Sequence, residues 1–114
     1  MTPQTIVRKP RLKAIIGNRN VTAVDVREIC LEPGQQAGRH LHPCTVVGYI
    51  AAGTALYQLE GETVQTLPTG SVFHEPAGAV MANFGNASES EPMTFIAFHL
   101  LDGDQELFEM LDNN

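Results

Sequence analysis

Two histidines separated by a single residue, His40 and His42, are the side chains of this sequence best placed to do chemistry. They follow a turn signal at Pro33-Gly34 and precede a run of β-branched residues that begins at Thr45. Residues i and i+2 of a β-strand point to the same face, so both imidazoles would enter one space. Imidazole nitrogens are common ligands of zinc, copper, iron and nickel. The pair therefore predicts part of a metal site inside a small β-structure.

Short strands are the elements that must position these histidines. Apolar and β-branched residues form short runs with glycine or proline at the joints, which favours an all-β sandwich or barrel. The predicted strands cover residues 21–31, 40–42, 45–51, 55–60, 63–67, 71–73, 80–84 and 93–101. The last of these segments is strongly apolar.

The length of 114 residues predicts a single domain. After the last predicted strand, Asp102-Gly103-Asp104 offers cap residues, and Leu107, Phe108 and Leu111 share a helical face. We therefore expect three parts, an N-terminal arm, a barrel and a short C-terminal helix, at residues 1–20, 21–101 and 102–114.

The composition argues against several classes of function. The net charge is −6, and the seven lysines and arginines are mostly scattered, which is unlike a nucleic-acid-binding surface. No apolar stretch is long enough to span a membrane, and the first residues lack the apolar run of a secretory signal. Two cysteines, Cys30 and Cys44, suit a reducing compartment, so we predict a cytoplasmic protein.

Two groups of residues have the spacing of motifs: Gly34, His40, His42 and Gly53, and then Gly70, Pro76 and Gly78. These spacings make the chain resemble the cupin superfamily of small β-barrels. The first cupin motif has the form G-x5-H-x-H-x3-E-x6-G. Its glycines correspond to Gly34 and Gly53, and its histidines to His40 and His42. Every spacing is kept, but Val46 stands in place of the glutamate.

The second cupin motif has the form G-x5-P-x-G-x2-H-x3-N. Its first three positions correspond to Gly70, Pro76 and Gly78. Met81 stands where the family has histidine, and Gly85 stands where it has asparagine. Because the glycine and proline spacings of both motifs agree, the resemblance implies a single jelly-roll-like cupin barrel with an altered metal motif.

In cupins, the two histidines, the glutamate and the third histidine hold an ion of iron, manganese, nickel, zinc or copper. The resemblance covers roughly residues 21–101 and implies that His40 and His42 bind a divalent transition metal ion. Only two of the four family ligands are kept, and two protein ligands are usually too few for a tight divalent site. Three explanations therefore stay open.

A rebuilt metal site is the first explanation. Glu75 could stand in for the missing glutamate, and His74 and His99 offer further imidazoles. The thioether of Met81 is a soft ligand that suits copper. Cys44 lies two residues after His42, so in a continuous strand its thiol would face the same side as the two histidines.

The other two explanations dispense with the ion. In a metal-free pocket, His40 and His42 would act as hydrogen-bonding or acid–base groups, as histidines do in some cupin-like sugar epimerases and isomerases. Glu75 is then the carboxylate that would fix a tautomer and raise basicity. Alternatively, Val46 and Met81 fill the space of the lost ligands, and the activity is lost.

The leading hypothesis is a small metal-dependent cupin that acts on a small organic molecule, with dioxygenase-like or isomerase-like chemistry. The alternative is a metal-free binding or sensing module with a degenerate site. Glu75 is the predicted catalytic group, as base or ligand. The predicted substrate-binding residues are Tyr49, Phe73, Met81 and His99. The protein retains a functional site if Glu75, His74 or His99 points towards the histidine pair.

The resemblance also implies a homodimer, because such barrels often pair through extended N-terminal strands. The apolar segment 12–16, which overlaps the end of the basic cluster at 8–13, could serve that purpose. The predicted C-terminal helix could add contacts to the same interface.

Overall fold

The structure is a computed structural model that describes residues 4–112, and every regular element in that part of the chain is a β-strand. The strands β1 to β9 are, in chain order, Ala23–Leu31, His40–Leu41, Thr45–Ala52, Ala55–Leu59, Gln65–Leu67, Val72–Glu75, Val80–Asn86, Met93–Leu101 and Glu109–Met110. The prediction of an all-β chain is confirmed, and the last strand predicted from the sequence, 93–101, coincides with β8.

The strands form two antiparallel sheets with the core between them. The first sheet has four strands in the order β1-β8-β3-β6, and the second has five in the order β5-β4-β7-β2-β9. β8 pairs with β1 along its whole length, from Met93 opposite Leu31 to Leu101 opposite Ala23. It also pairs with β3 on its other side. This central place in the first sheet agrees with the apolar sequence of β8.

Three phenylalanine rings hold the two sheets together. Phe73 of β6 and Phe95 of β8 belong to the first sheet, and Phe84 of β7 belongs to the second. The ring centroid of Phe84 lies 4.6 Å from that of Phe95 and 5.1 Å from that of Phe73. Tilted aromatic pairs of this kind contribute about 1 kcal/mol each beyond the burial of their area. The rings fix the distance between the sheets below the histidine pair.

The turn between β3 and β4 explains one glycine of the first motif. Gly53 has a φ of 79°, in the left-handed region that side chains disfavour. A Cβ atom there would lie 2.7 Å from the carbonyl oxygen of Pro92. The turn therefore requires glycine for its backbone angle and for its space, which is a structural reason rather than a catalytic one.

The predicted C-terminal helix is wrong within residues 102–112. That segment contains turns and the short strand β9, which pairs with β2 so that Met110 lies opposite His40. The backbone amide of Leu111 also donates to the carbonyl oxygen of Arg39, at 3.0 Å. A helix of so few residues is marginal in water, and pairing satisfies the free edge of β2 instead. The last two residues of the prediction lie outside the described part of the chain.

The N-terminal arm forms neither helix nor strand over residues 4–22. Its Arg11 donates a hydrogen bond of 2.8 Å to the carbonyl oxygen of Gly70, which ties the arm to the turn before β6. Residues 1–3 of the predicted arm lie outside the described residues. Within residues 4–112, no helix has the length and apolarity needed to cross a bilayer.

Candidate metal centre

A carboxylate joins the histidine pair inside the barrel. His40 lies in β2, His42 directly follows that strand, and Glu75 is the last residue of β6 in the other sheet. Nε2 of His42 lies 3.0 Å from Oε2 of Glu75, and Nε2 of His40 lies 3.6 Å from Oε1. One ligand atom from each of the three residues can be chosen so that all three lie within 4.8 Å of one another. The pair predicted from the sequence is thus part of a three-residue cluster.

The strand register explains why Glu75 can replace the missing glutamate. Val46, at the vacated position in β3, is the direct antiparallel partner of Glu75 in β6. Opposite residues of neighbouring antiparallel strands project to the same face of the sheet. The carboxylate therefore enters the same space from the next strand.

Backbone carbonyls orient both imidazoles of the cluster. Nδ1 of His40 donates to the carbonyl oxygen of Gly38 at 2.8 Å, and Nδ1 of His42 donates to that of Leu107 at 2.6 Å. A carbonyl oxygen can only accept, so each Nδ1 carries a hydrogen and each Nε2 of a neutral ring carries a lone pair. Metal-binding histidines usually have their second nitrogen held in this way.

The contact with Glu75 requires a positive charge between the groups. The lone pairs of His42 Nε2 and Glu75 Oε2 face each other, so either a proton or a cation must lie between them. Oε1 of Glu75 is buried and has no hydrogen-bond partner among the described residues. Two imidazoles and one carboxylate are a donor set that suits divalent transition metals. The residues present therefore fit the ion that the resemblance implies.

Electrostatics inside the cluster also favour a bound cation. Burial alone would raise the pKa of Glu75, but the two histidines outweigh it and lower that pKa to about 2. Burial alone would lower the pKa of His42, but the hydrogen bond and the charge of Glu75 raise it overall. Glu75 is therefore an anion at neutral pH, although its side chain is almost completely buried, with only 6% exposed. Such a buried charge is stable only beside a positive partner.

The cluster lies in a cavity of about 280 Å³. His99 of β8 also lines this cavity, and its ring centroid is 5.7 Å from that of His42. Nδ1 of His99 donates to the carbonyl oxygen of Asp25 at 3.3 Å. Burial is the largest cause that lowers the pKa of His99, which is therefore neutral at pH 7. His99 therefore lines the cavity but is not a member of the three-residue cluster.

Comparison with known families gives a match that covers most of the strands. A family model described as cupin domain matches residues 27–99, which is more than half of the chain. The chain belongs to the cupin family. The expected cupin barrel is thereby confirmed, and in this cupin His40, His42 and Glu75 form a group whose spacing suits a metal ion.

Solved structures with the same fold come from several organisms. A cupin-like protein from Thermotoga maritima is 25% identical, with a TM-score of 0.68 over 77% of this chain and 64% of that one. A cupin 2 domain-containing protein from Halorhodospira halophila is 22% identical, with a TM-score of 0.67 over 80% and 60%. The DMSP lyase DddQ from Ruegeria pomeroyi is 18% identical, with a TM-score of 0.66 over 76% and 42%.

This cupin spans less than two thirds of each of those structures. The proteins from Halorhodospira halophila and Ruegeria pomeroyi are less than 25% identical to this chain, so their similarity concerns the fold alone. A sequence search of curated proteins finds no match.

Two of the residues considered for the site lie on the outer face of the first sheet. Tyr49 is 42% exposed and lines a surface groove beside the N-terminal arm, not the cavity. His74 precedes Glu75 in β6 and therefore projects to the opposite face, opposite Val47. Its buried Nε2 has no hydrogen-bond partner among the described residues. The structure brings neither side chain to the cluster.

Phe73, Met81 and Cys44 are buried, but none of them lines the cavity. Phe73 packs in the aromatic layer beneath it. Met81 is the antiparallel partner of His40 and is completely buried at the position of the family's third histidine. Cys44 lines a separate, polar pocket near the N-terminal arm, and burial is the main cause that raises the pKa of its thiol. The substrate contacts of Phe73 and Met81 stay predictions.

The C-terminal segment contributes to the cavity in a way that the sequence does not predict. Phe108 and Met110 line it, and the carbonyl of Leu107 holds His42. We call residues 105–112 the C-terminal strap. Phe108 belongs to the helical face predicted from Leu107, Phe108 and Leu111, and the sequence contains no such signal for Met110.

Proposed function

We propose that this cupin binds a divalent transition metal ion through His40, His42 and Glu75 and acts on a small organic molecule. The observation that carries the proposal is the cluster itself, in which two lone-pair nitrogens and a buried carboxylate converge at one end of an apolar cavity. The ion would be iron, copper, nickel, zinc or manganese.

The protein residues would divide the work between holding the ion and binding the substrate. His40, His42 and Glu75 supply three ligands, which leaves coordination positions free for substrate or water. An ion held by these residues would supply Lewis-acid chemistry towards a substrate oxygen, or redox chemistry towards dioxygen. His99 is neutral and lies in the cavity wall, so its Nε2 lone pair can accept a proton or a hydrogen bond there.

The comparisons support an enzyme more than a structural metal site. The structural neighbour DddQ is a DMSP lyase, so a barrel of this kind can carry catalysis. Its substrate is not transferred to this chain, because fold alone does not determine chemistry. Dioxygenase-like or isomerase-like turnover remains our proposal for the reaction class.

Cobalt spectroscopy tests whether the site has free coordination positions. We expect Co²⁺ to give a visible absorption band that shifts when azide is added, because three protein ligands leave room for another. His74→Ala, a control on the same strand but the opposite face, should give the same band and the same shift. A cobalt band that azide does not change would contradict a catalytic site, and absence of a band would contradict metal binding by these residues.

A metal-free acid–base site is the second candidate function. The 3.0 Å contact between His42 and Glu75 favours it, because a proton in place of the ion would satisfy the same two lone pairs. His42 would then be an imidazolium whose Nε2 proton is held by Glu75 until it passes to the substrate, or the module would only bind its ligand. A protein that takes up no metal but binds a small molecule in a His42-dependent way would support this candidate.

We also propose a homodimer formed through the outer face of the first sheet. Val24 and Val26 of β1 project from that face and are 54% and 55% exposed, and Tyr49 of β3 projects from it on the far side of β8. An exposed apolar sheet face of this kind favours association. We expect light scattering to report a dimer for the wild type and a monomer for Val24→Glu/Val26→Glu. Val64→Glu, at an exposed valine outside this sheet, should stay dimeric, and a monomeric wild type would contradict the proposal.

A reducing compartment such as the cytoplasm agrees with the cysteines. Cys30 is exposed and Cys44 is buried, and both are free thiols. A thiol titration of the protein unfolded without reductant should count two thiols per chain, and a lower count would contradict this assignment.

A further inference from the structure

We infer that the cavity selects a molecule with one oxygen head group, an aromatic or aliphatic body and no second charged group. This inference rests on the proposed metal site, because the head group would lie at the end of the cavity that holds His40, His42 and Glu75. It adds the substrate class, which neither the cluster nor the family defines.

The cavity is divided into a polar end and an apolar end. The three ligand residues and His99 form the polar end. The remaining wall is apolar, and three of its nine residues are aromatic, namely Phe84, Phe95 and Phe108. At about 280 Å³, the cavity has room for one small ring or a short branched chain, but not for a sugar chain or a nucleotide.

The charges around the cavity limit the ligand to one negative group. Among the described residues that line it, Glu75 is the only carboxylate and there is no lysine or arginine. Arg27 and Arg39 lie on or beside bordering strands, but each already binds a carboxylate, that of Asp25 and of Glu60 respectively. A divalent ion with Glu75 has a net charge of +1 and matches a single anionic oxygen. A second anion would be buried against phenylalanine rings without a partner, which is costly.

The C-terminal strap forms the entrance for the body of the ligand. Phe108 and Met110 line the cavity, yet each is 55% exposed, so they stand at its rim. A bound ring would cover part of both side chains and remove apolar surface from water. These two residues therefore determine which bodies the cavity accepts.

Calorimetry with matched probes tests the inference on the zinc-loaded protein. The probes are 4-nitrobenzoate, terephthalate and acetate. Terephthalate has the size and shape of 4-nitrobenzoate with a second negative charge, whereas acetate has the head group without the body. We expect 4-nitrobenzoate to bind at least about tenfold more tightly than either of the others, as expected for burial of one aromatic ring. Equal or tighter binding of terephthalate or acetate would overturn the inference and leave the metal site standing.

Variants at the rim separate this inference from the proposed function. Phe108→Ala should weaken 4-nitrobenzoate binding about tenfold and leave the zinc content unchanged, whereas Val64→Ala, at an exposed valine outside the cavity, should change neither. Unchanged binding in both Phe108→Ala and Met110→Ala would overturn the role of the strap. A protein that takes up no zinc contradicts the proposed function.

Neutral nitrobenzene is then titrated into the metal-free protein to test whether the cavity selects the body of the ligand. If nitrobenzene binds and Phe108→Ala weakens its binding, the selection of the body is supported. If nitrobenzene does not bind, that selection is overturned.

Discussion

Glu75→Val is expected to weaken divalent metal binding by more than about a hundredfold, and Val46→Glu in the same chain is expected to restore most of it. The single change removes the only carboxylate of the cluster and leaves two imidazoles, which hold a divalent ion poorly. The second change returns a carboxylate to the same face, because positions 46 and 75 are direct partners in adjacent strands. The double variant exchanges the two residues and keeps the composition of the site. Competition with a chromophoric zinc chelator measures both affinities.

The exchange has a matched control in the same chain. Glu62→Val removes an exposed carboxylate that follows β4, outside the cluster, and should leave zinc affinity unchanged. Circular dichroism would show that each variant keeps its sheet structure. If Glu75→Val binds zinc as tightly as the wild type, Glu75 is not a ligand. If the double variant binds no better than Glu75→Val, the carboxylate cannot enter the site from β3.

Gly48→Ala is expected to destabilise the fold by about 3 kcal/mol, and so to lower the melting temperature by roughly 10 °C. Gly48 lies in β3, with Ala97 of β8 and Phe73 of β6 as its partners. A Cβ atom there would overlap the carbonyl oxygen of Ile96 and would lie 2.7 Å from the Phe73 ring. The absence of a side chain lets that ring lie over the sheet beneath the cavity. Thermal unfolding followed by circular dichroism measures the effect.

Gly61→Ala is the comparison that isolates this close approach. Gly61 has a φ of 82° and open space around its Cβ direction, so its substitution adds backbone strain without a clash. That strain costs about 1–2 kcal/mol. If Gly48→Ala costs less than Gly61→Ala, the packing of Phe73 over Gly48 is not what determines stability at this position.

The sequence was sufficient for the strands β1 to β8 and for the histidine pair, because both depend on local patterns, but it was not sufficient for β9. Alternation with period two places His40 and His42 on one face, and glycine and proline mark the ends of most strands. Glu75 is the predicted catalytic group, but the sequence alone does not show that Glu75, rather than its neighbour His74, faces the histidine pair. That choice depends on the register between β3 and β6, which places Glu75 opposite Val46.

The C-terminal segment shows the limit of periodicity in a short stretch. Leu107, Phe108 and Leu111 have helical spacing, but the free edge of β2 offers backbone partners that an isolated helix lacks. The carbonyl of Leu107 then reaches His42, 65 residues earlier in the chain. A contact between a backbone atom and a side chain so distant in sequence leaves no trace in the pattern of residue types.

Metal analysis of protein purified without chelators or an affinity tag tests the central claim most directly. Wild type should carry close to one transition metal ion per chain, and His40→Ala/His42→Ala should carry none. The identity of the ion would then narrow the reaction class. If neither protein holds metal, even after soaking with iron, copper, nickel and zinc, the proposed metal site of His40, His42 and Glu75 is contradicted.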